Sequence, residues 1–263
     1  RLHFLILSVS TLRWRFSMRS TRNSATRITQ LCQHCGAWLP RVVSDARQSK
    51  VSTLTDPSPK FNAPHTSVGQ SEWEFPDVSE WYDNNDLVTA GADLAPATLI
   101  YAYSHGLFPM NITTRRGEAL GWWSPLERGV LPLDGLVVSR SLHKSIARYE
   151  TRVDTCFTDV ILQCAKLPRE GTWITDEFVS AYMRLFELGY AHSVETFRDG
   201  ELVGGLYGVR IGAFFAGESM FHTATDASKV ALSRLVDEMN AAGMSLLDVQ
   251  WQTPHLATLG VIE

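Results

Sequence analysis

Cysteine is scarce in this chain: Cys32, Cys35, Cys156 and Cys164 are the only four in 263 residues. They are too few and too unevenly placed for a disulfide framework, which favours a reducing compartment. Cys32 and Cys35 form a lone Cys-x-x-Cys, without the second pair a zinc site asks for. No apolar run reaches membrane-spanning length. His105, His143, His192, His222 and His255 show no paired metal-ligand spacing, and no Ser-His-Asp set stands out; His192 reads as a core or edge residue of a strand. Acids are almost missing from residues 1–50, where nine Lys and Arg face only Asp45, leaving fifteen basic and twenty-seven acidic residues for 51–263. That leader has the composition of a transit peptide. It also fits upstream sequence read from a mistaken start, with Met18 or a later codon as the true one, and this second reading is preferred. Residues 51–80, with Pro57, Pro59, Pro64 and Pro76 among Ser, Thr and Asn, read as an unstructured linker. The acidic remainder argues against a nucleic-acid partner unless a local basic patch exists.

From residue 81 the chain is patterned. Residues 94–107 predict a helix with Asp93 near its start, Pro96 in its first turn and Gly106 after its last. A Thr-Thr-Arg-Arg-Gly loop follows Phe108-Pro109-Met110-Asn111, and Trp122-Trp123-Ser124-Pro125 opens an extended stretch to residue 133. Arg140, Lys144 and Arg148 recur every four residues, which on a helix makes one basic stripe. Residues 153–165 read as a helix, and Thr175 caps another over 176–188 that stops at Gly189. Asp199-Gly200 is a two-residue hairpin signal between strands at 190–197 and 201–209.

The densest pattern lies between residues 204 and 260. Strands over 202–211 and 213–221 flank Gly212, and a helix over 226–242 ends at Gly243. In a last strand over 246–251, alternation places Leu246, Asp248 and Gln250 on one face and Leu247, Val249 and Trp251 on the other. Asp248 and Gln250 are thereby expected about 6–7 Å apart along the strand. A carboxylate and an amide on an otherwise apolar strand are costly to bury without partners, which predicts a polar site opening between strands. Glu218 repeats the pattern, alone between Phe214, Phe215 and Met220, Phe221. The order of elements predicts an α+β fold with a mixed, mostly antiparallel sheet: a leader or linker over 1–80, a small N-terminal α/β domain over 81–150 and a C-terminal domain over 151–263.

Residues 204–261, Gly171-Thr172-Trp173-Ile174-Thr175, the run from Glu187 to Glu195 and Trp122-Trp123-Ser124-Pro125 together resemble the bacterial leucyl/phenylalanyl-tRNA–protein transferase family, over about residues 85 to 263. The resemblance implies an acetyltransferase-like (GNAT) C-terminal fold and an enzyme that moves Leu or Phe, and also Met, from aminoacyl-tRNA to the N-terminal Arg or Lys of proteins, marking them for degradation. It implies no cofactor and no metal, a cytoplasmic monomer without membrane attachment, and a plastid or mitochondrial location if the leader is a transit peptide. Asp248 and Gln250 match the family's proposed catalytic positions, and Glu218 is the third catalytic candidate, to hold the substrate α-amino group or the acceptor's cationic side chain. Leu206, Phe215, Leu232, Leu235 and Leu247 match its side-chain pocket, although pattern alone makes each a core residue. Trp173, Tyr182, Tyr103 and Met110 match the aminoacyl-adenosine site, and Arg140, Lys144 and Arg148 match tRNA-contacting positions. The family's Phe-Pro-Trp-Phe is Phe108-Pro109-Met110-Asn111 here, so stacking on the terminal adenosine is not expected to be aromatic at Met110. A Gly-rich pyrophosphate loop is missing, and Glu218 stands where it would repel phosphate, so the likeness to acetyltransferases is one of fold without coenzyme A. The competing readings are a peptidoglycan-type aminoacyl transferase and a catalytically silent tRNA-binding module. The family continues for a further segment past Val261.

Overall fold

Helix α1 (Pro96–Ser104) is set by punctuation in the sequence. Pro96 occupies its first turn, and Gly106, at φ 78°, turns the chain out of it so that Leu107 N donates to Ala102 O at 2.9 Å and Gly106 N to Tyr103 O at 3.1 Å. The same closure follows α4 (Asp176–Glu187), where Tyr190 N reaches Leu185 O, and α5 (Ala227–Ala241), where Met244 N reaches Met239 O, both at 2.9 Å. The protein is seen here as a computed structural model that describes residues 61, 63–77, 80–81, 85–115, 117–167 and 173–263. The leader, Met18, Cys32 and Cys35 lie outside the described residues.

Two sheets carry the chain. Strands β1 (Leu87–Ala90), β2 (Phe108–Thr114) and β3 (Gly117–Trp123) form an antiparallel sheet in the order β1-β3-β2. Strands β4 (Gly129–Leu131), β5 (Glu150–Val153), β6 (Ala191–Arg198), β7 (Glu201–Ile211), β8 (Phe214–His222) and β9 (Leu246–Gln250) form the larger one, ordered β4-β9-β8-β7-β6-β5. Every pairing in it is antiparallel except β8 with β9, which α5 joins as a crossover. This is the α+β class with a mixed, mostly antiparallel sheet. The β6–β7 hairpin turns at Asp199 (φ 54°) and Gly200 (φ 82°), the pair of left-handed residues that a tight hairpin requires. Because β4 pairs with β9, the segment before residue 150 contributes a strand to the large sheet.

The large sheet is covered on both faces. On one, α5 buries Ala231, Leu232, Leu235, Val236 and Met239 against Leu206, Phe215 and Leu247. On the other, α1, α3 (Phe157–Ala165) and α4 pack over Tyr207, Val209, Ala216 and Phe221. Two short helices, α2 (Arg140–Ile146) and α6 (Pro254–Ala257), complete the described elements. Among the described residues no helix is long and apolar enough to cross a membrane.

Four expectations need correction. Residues 153–165 are not one helix: β5 ends at Val153, and Asp154, at φ 57°, accepts from Ser193 N and His192 Nδ1, both at 2.8 Å, which diverts the chain before α3 begins. Residues 108–114 form a strand, and Thr113 and Thr114 of the expected loop are its last two residues, paired with Glu118 and Gly117 of β3. Pro109 is tolerated because β2 lies at a sheet edge. The basic stripe is carried by a shorter helix than its spacing predicts, since α2 ends at Ile146 and Arg148 lies beyond it. Finally, residues 61 and 63–77 pack on the body instead of forming a linker. Phe61 is fully buried beside Phe215 and His192, Thr66 N donates to Leu188 O at 2.8 Å, and Phe75 meets Trp122 edge-on at 4.7 Å.

Candidate active site

The polar groups converge where β8 and β9 part. The two strands pair at Phe214 with Leu246, Phe215 with Leu247 and Ala216 with Asp248, and no pair follows among the described residues. On its other edge, β8 aligns Gly217 with Gly208 and Ser219 with Tyr207, so Glu218 is the extra residue of a bulge. A bulge re-aims its side chain. The Glu218 carboxylate turns toward the helices, where Tyr103 on α1 donates to Oε1 at 2.7 Å and Tyr182 on α4 to Oε2 at 3.1 Å.

The two phenol oxygens also lie 2.5 Å apart, closing a triangle of short contacts. Two phenol protons cannot fill three contacts; a proton on Glu218 completes the set when one phenol donates to the other and in turn accepts from the carboxyl in place of donating to it. Electrostatics point the same way. Desolvation pushes the Glu218 carboxyl up to about 7; the tyrosine hydrogen bonds oppose the rise, the negative charge of Asp248 adds to it and Arg128 counters it. Burial and the neighbouring Glu218 hold Tyr103 and Tyr182 well above the ordinary phenol value.

Asp248 is 1% exposed yet fully partnered. Arg128, in the loop before β4, donates from Nε to Oδ1 at 2.8 Å and from Nη2 to Oδ2 at 2.6 Å. The same guanidinium donates from Nη1 to Gly106 O at 2.7 Å, the carbonyl of the glycine that closes α1, and lies over the Phe108 ring at 5.6 Å. Gln250 does not continue the strand face as simple alternation predicts. It adopts φ 59°, and its backbone N–H turns back to Asp248 Oδ1 at 3.0 Å. Its side chain is buried, and Nε2 has no hydrogen-bond partner among the described residues.

Tyr103, Tyr182, Glu218, Asp248 and Gln250 are thus brought together. Trp173 adjoins them indirectly: its ring meets Phe178 edge-on at 5.6 Å, and Phe178 stacks with Tyr182 at 6.4 Å. Met110 is not in this bonded group; it is half-buried on β2, where its carbonyl accepts from Trp123 Nε1 at 3.1 Å. Leu206, Phe215, Leu232, Leu235 and Leu247 gather in one buried cluster on the α5 face, opposite Tyr103 and Tyr182. Arg140, Lys144 and Arg148 are exposed, while Leu142 anchors α2. Among the described residues no group of three His, Cys, Asp or Glu is placed to hold a metal ion. His192 is buried and paired with Asp154 at 2.8 Å. Sequence reasoning missed Arg128, whose only signal was a single arginine shortly after Trp122-Trp123-Ser124-Pro125.

Residues 130–263 match the family described as leucyl/phenylalanyl-tRNA protein transferase, and residues 92–126 match the N-terminal domain of the same family. The chain belongs to the leucyl/phenylalanyl-tRNA–protein transferase family. It is therefore an aminoacyltransferase. The leucyl/phenylalanyl-tRNA–protein transferase of Thiobacillus denitrificans is 50% identical over 192 residues, 71% of this chain and 82% of that one. The Chromobacterium violaceum transferase is 49% identical over 192 residues, 71% and 81% of the two chains. Among solved structures, a tandem GNAT protein from the clavulanic acid biosynthesis pathway aligns at TM-score 0.31 and 14% identity, covering 70% of this chain and 58% of that one. Within the transferase, Tyr103 falls in the matched N-terminal segment and Tyr182, Glu218, Asp248 and Gln250 in the matched C-terminal one, whereas Arg128 stands between the two.

Proposed function

We propose that the protein, acting as a monomer, transfers Leu or Phe, and also Met, from aminoacyl-tRNA to acceptor proteins that begin with Arg or Lys. The observation that carries this reading is the buried Gln250 Nε2, without a partner among the described residues, beside a charge-paired Asp248 at the parting of β8 and β9. The α-amine of the acceptor attacks the ester carbonyl that joins the amino acid to the tRNA. A C–N bond forms, the ester C–O bond breaks, the amine gives up a proton and the ribose hydroxyl leaves with one. The ester is already activated, so orienting the two substrates and stabilising the developing charges supply most of the acceleration.

In this reading Gln250 hydrogen-bonds the attacking amine through its amide, which as a neutral group is too weak a base to remove the proton alone. Asp248 orients that amine and stabilises the positive charge it develops. Glu218, in its ionised form, takes the α-ammonium of the aminoacyl group or the cationic side chain of the acceptor. Tyr103, Tyr182, Trp173 and Met110 border the adenosine, and the slot for an unbranched side chain, walled by Leu206, Phe215, Leu232, Leu235 and Leu247 on the α5 face, has to be entered from the adenosine side through the parting of β8 and β9. The test is direct: purified protein with Leu-tRNA should acylate a peptide beginning with Arg, and should leave untouched the same peptide beginning with an acidic residue. Equal acylation of both would remove the proposed acceptor rule, and transfer to a peptidoglycan-type amine instead would replace it.

Arg140, Lys144 and Arg148 supply the positive surface for the tRNA backbone on an otherwise acidic protein. The double variant Arg140→Ala, Lys144→Ala is expected to weaken Leu-tRNA binding about tenfold near physiological salt and to flatten the slope of log affinity against log salt by about one to two. Filter binding at several salt concentrations reads both, and an unchanged slope would dismiss these residues as phosphate contacts.

A further inference from the structure

We infer that Arg128 is a positioning residue of the transfer reaction, holding Asp248 in one orientation and, through Asp248, the left-handed turn that aims Gln250. The inference rests on the assignment of Asp248 and Gln250 to the chemistry.

Three features separate this contact from an ordinary ion pair. The first is its form: both nitrogens of one edge of the guanidinium meet both oxygens of a carboxylate whose side chain is 2% exposed. Such a fork fixes the plane of the carboxylate as well as its position. The second is anchorage. Nη1 is spent on Gly106 O at 2.7 Å, and Gly106 is held by the closure of α1, so the guanidinium is tied to the helix that also carries Tyr103. Gly129, the next residue, completes the anchorage on the other side. A Cβ there would come within 2.8 Å of Gln252 N and 3.0 Å of the Trp251 carbonyl carbon, so only glycine lets β4 approach the end of β9 this closely.

The third feature is what Asp248 does with the geometry it is given. Its Oδ1 accepts from Arg128 Nε and also from Gln250 N, and Gln250 sits at φ 59°, a conformation that a non-glycine residue holds only against strain. The chain of contacts runs from Gly106 through Arg128 and Asp248 to the backbone that directs the Gln250 amide. Freed from Arg128, the carboxylate can rotate and release that backbone.

The test is a double-mutant cycle read in single-turnover transfer from Leu-tRNA, with Leu-tRNA affinity measured alongside. Arg128→Gln should slow transfer about 100-fold, the scale of an ångström-level misplacement of a reacting group, while Leu-tRNA affinity stays within about twofold. Arg128→Lys keeps the charge but not the fork and should recover about tenfold of that loss. Because Arg128 acts through Asp248, adding Arg128→Gln to Asp248→Asn should cost no more than about a further twofold. The inference is overturned if Arg128→Gln transfers at the wild-type rate, if the two losses multiply, or if rate and tRNA affinity fall by the same factor. Should Arg128→Gln fail to fold, the cycle built on Arg128→Lys makes the same decision, with non-additivity as its criterion. If Asp248→Asn alone leaves transfer unchanged, the assignment of Asp248 is what fails, and the two failures are told apart by that single variant.

Discussion

Asp248→Asn is expected to slow transfer of both Leu and Phe by about 10²- to 10³-fold, the range found when one preorganised polar group is removed from a reacting centre. The substitution preserves shape and can still accept from Gln250 N and from one arm of Arg128, so aminoacyl-tRNA affinity should change little. A group used only in the transition state lowers the chemical step and leaves ground-state binding alone. The loss should be similar for the two amino acids, because Asp248 lies across the sheet from the Leu206 and Leu232 cluster. Stability should fall as well, by about 1–3 kcal/mol, since Arg128 keeps its charge in a mostly enclosed place without its counter-ion. Single-turnover rates with Leu-tRNA and Phe-tRNA, with binding constants for each, read these outcomes together. A shifted Leu/Phe preference at unchanged overall rate would move Asp248 from chemistry to specificity.

Glu218→Gln should alter both activity and the response to pH. The folded protein holds the Glu218 carboxyl at about 7, above the ordinary carboxyl value, so between about 4.5 and 7 it binds a proton that the unfolded chain has already released. Stability from this group is therefore full in acid and is lost as pH rises through that window. The loss amounts to about 3 kcal/mol above pH 7, at roughly 1.4 kcal/mol per unit. Gln cannot ionise, so thermal unfolding of the variant should gain on the wild type as pH increases and match it most closely near pH 4.5. Activity should move the opposite way. If the ionised carboxylate holds a substrate cation, wild-type transfer rises through an inflection near 7 that the variant lacks, and at pH 8 the variant should be about 10- to 100-fold slower. The acceptor amine titrates nearby and contributes its own limb, but it does so equally in both proteins. Parallel pH profiles would exclude Glu218 as the titrating group.

Much of this arrangement was legible because it depends on local chemistry. Gly106, Gly189 and Gly243 mark helix ends in the sequence and stand at positive φ just past α1, α4 and α5. Asp199-Gly200 foretold its hairpin, and the isolation of Glu218 and Asp248 among apolar residues foretold a polar opening between strands. What stayed hidden depends on partners distant in sequence. Arg128 is 120 residues from Asp248, and a lone loop arginine has no periodicity to reveal its destination. The apolar pattern of 153–165 runs unbroken through Val153, Phe157, Val160 and Ile161, so nothing local announces that Asp154 bonds to β6 and ends a strand there. Phe61 sits in a polar, proline-rich stretch, yet the space between His192 and Phe215 receives its ring. Alternation along β9 placed Leu247 and Asp248 on opposite faces, but it did not reveal the reversed turn at Gln250.

The additional residue in β8 resets the count of faces along that strand. Before Glu218, odd-numbered Phe215 packs toward α5 and even-numbered Ala216 toward α3 and α4; after it, even-numbered Met220 packs toward α5 and Phe221 toward the other side. Loss of one residue anywhere from Gly217 to Ser219 would remove the bulge and leave Met220 opposite Leu206 and Phe221 opposite Gly205, on the sides they already occupy, whereas loss of a residue elsewhere in β8 would exchange the two sides of everything beyond it. A one-codon deletion at this point would therefore spare the packing of the sheet and cost the protein only the re-aimed position that carries Glu218, so the bulge is kept for the site and not for the fold.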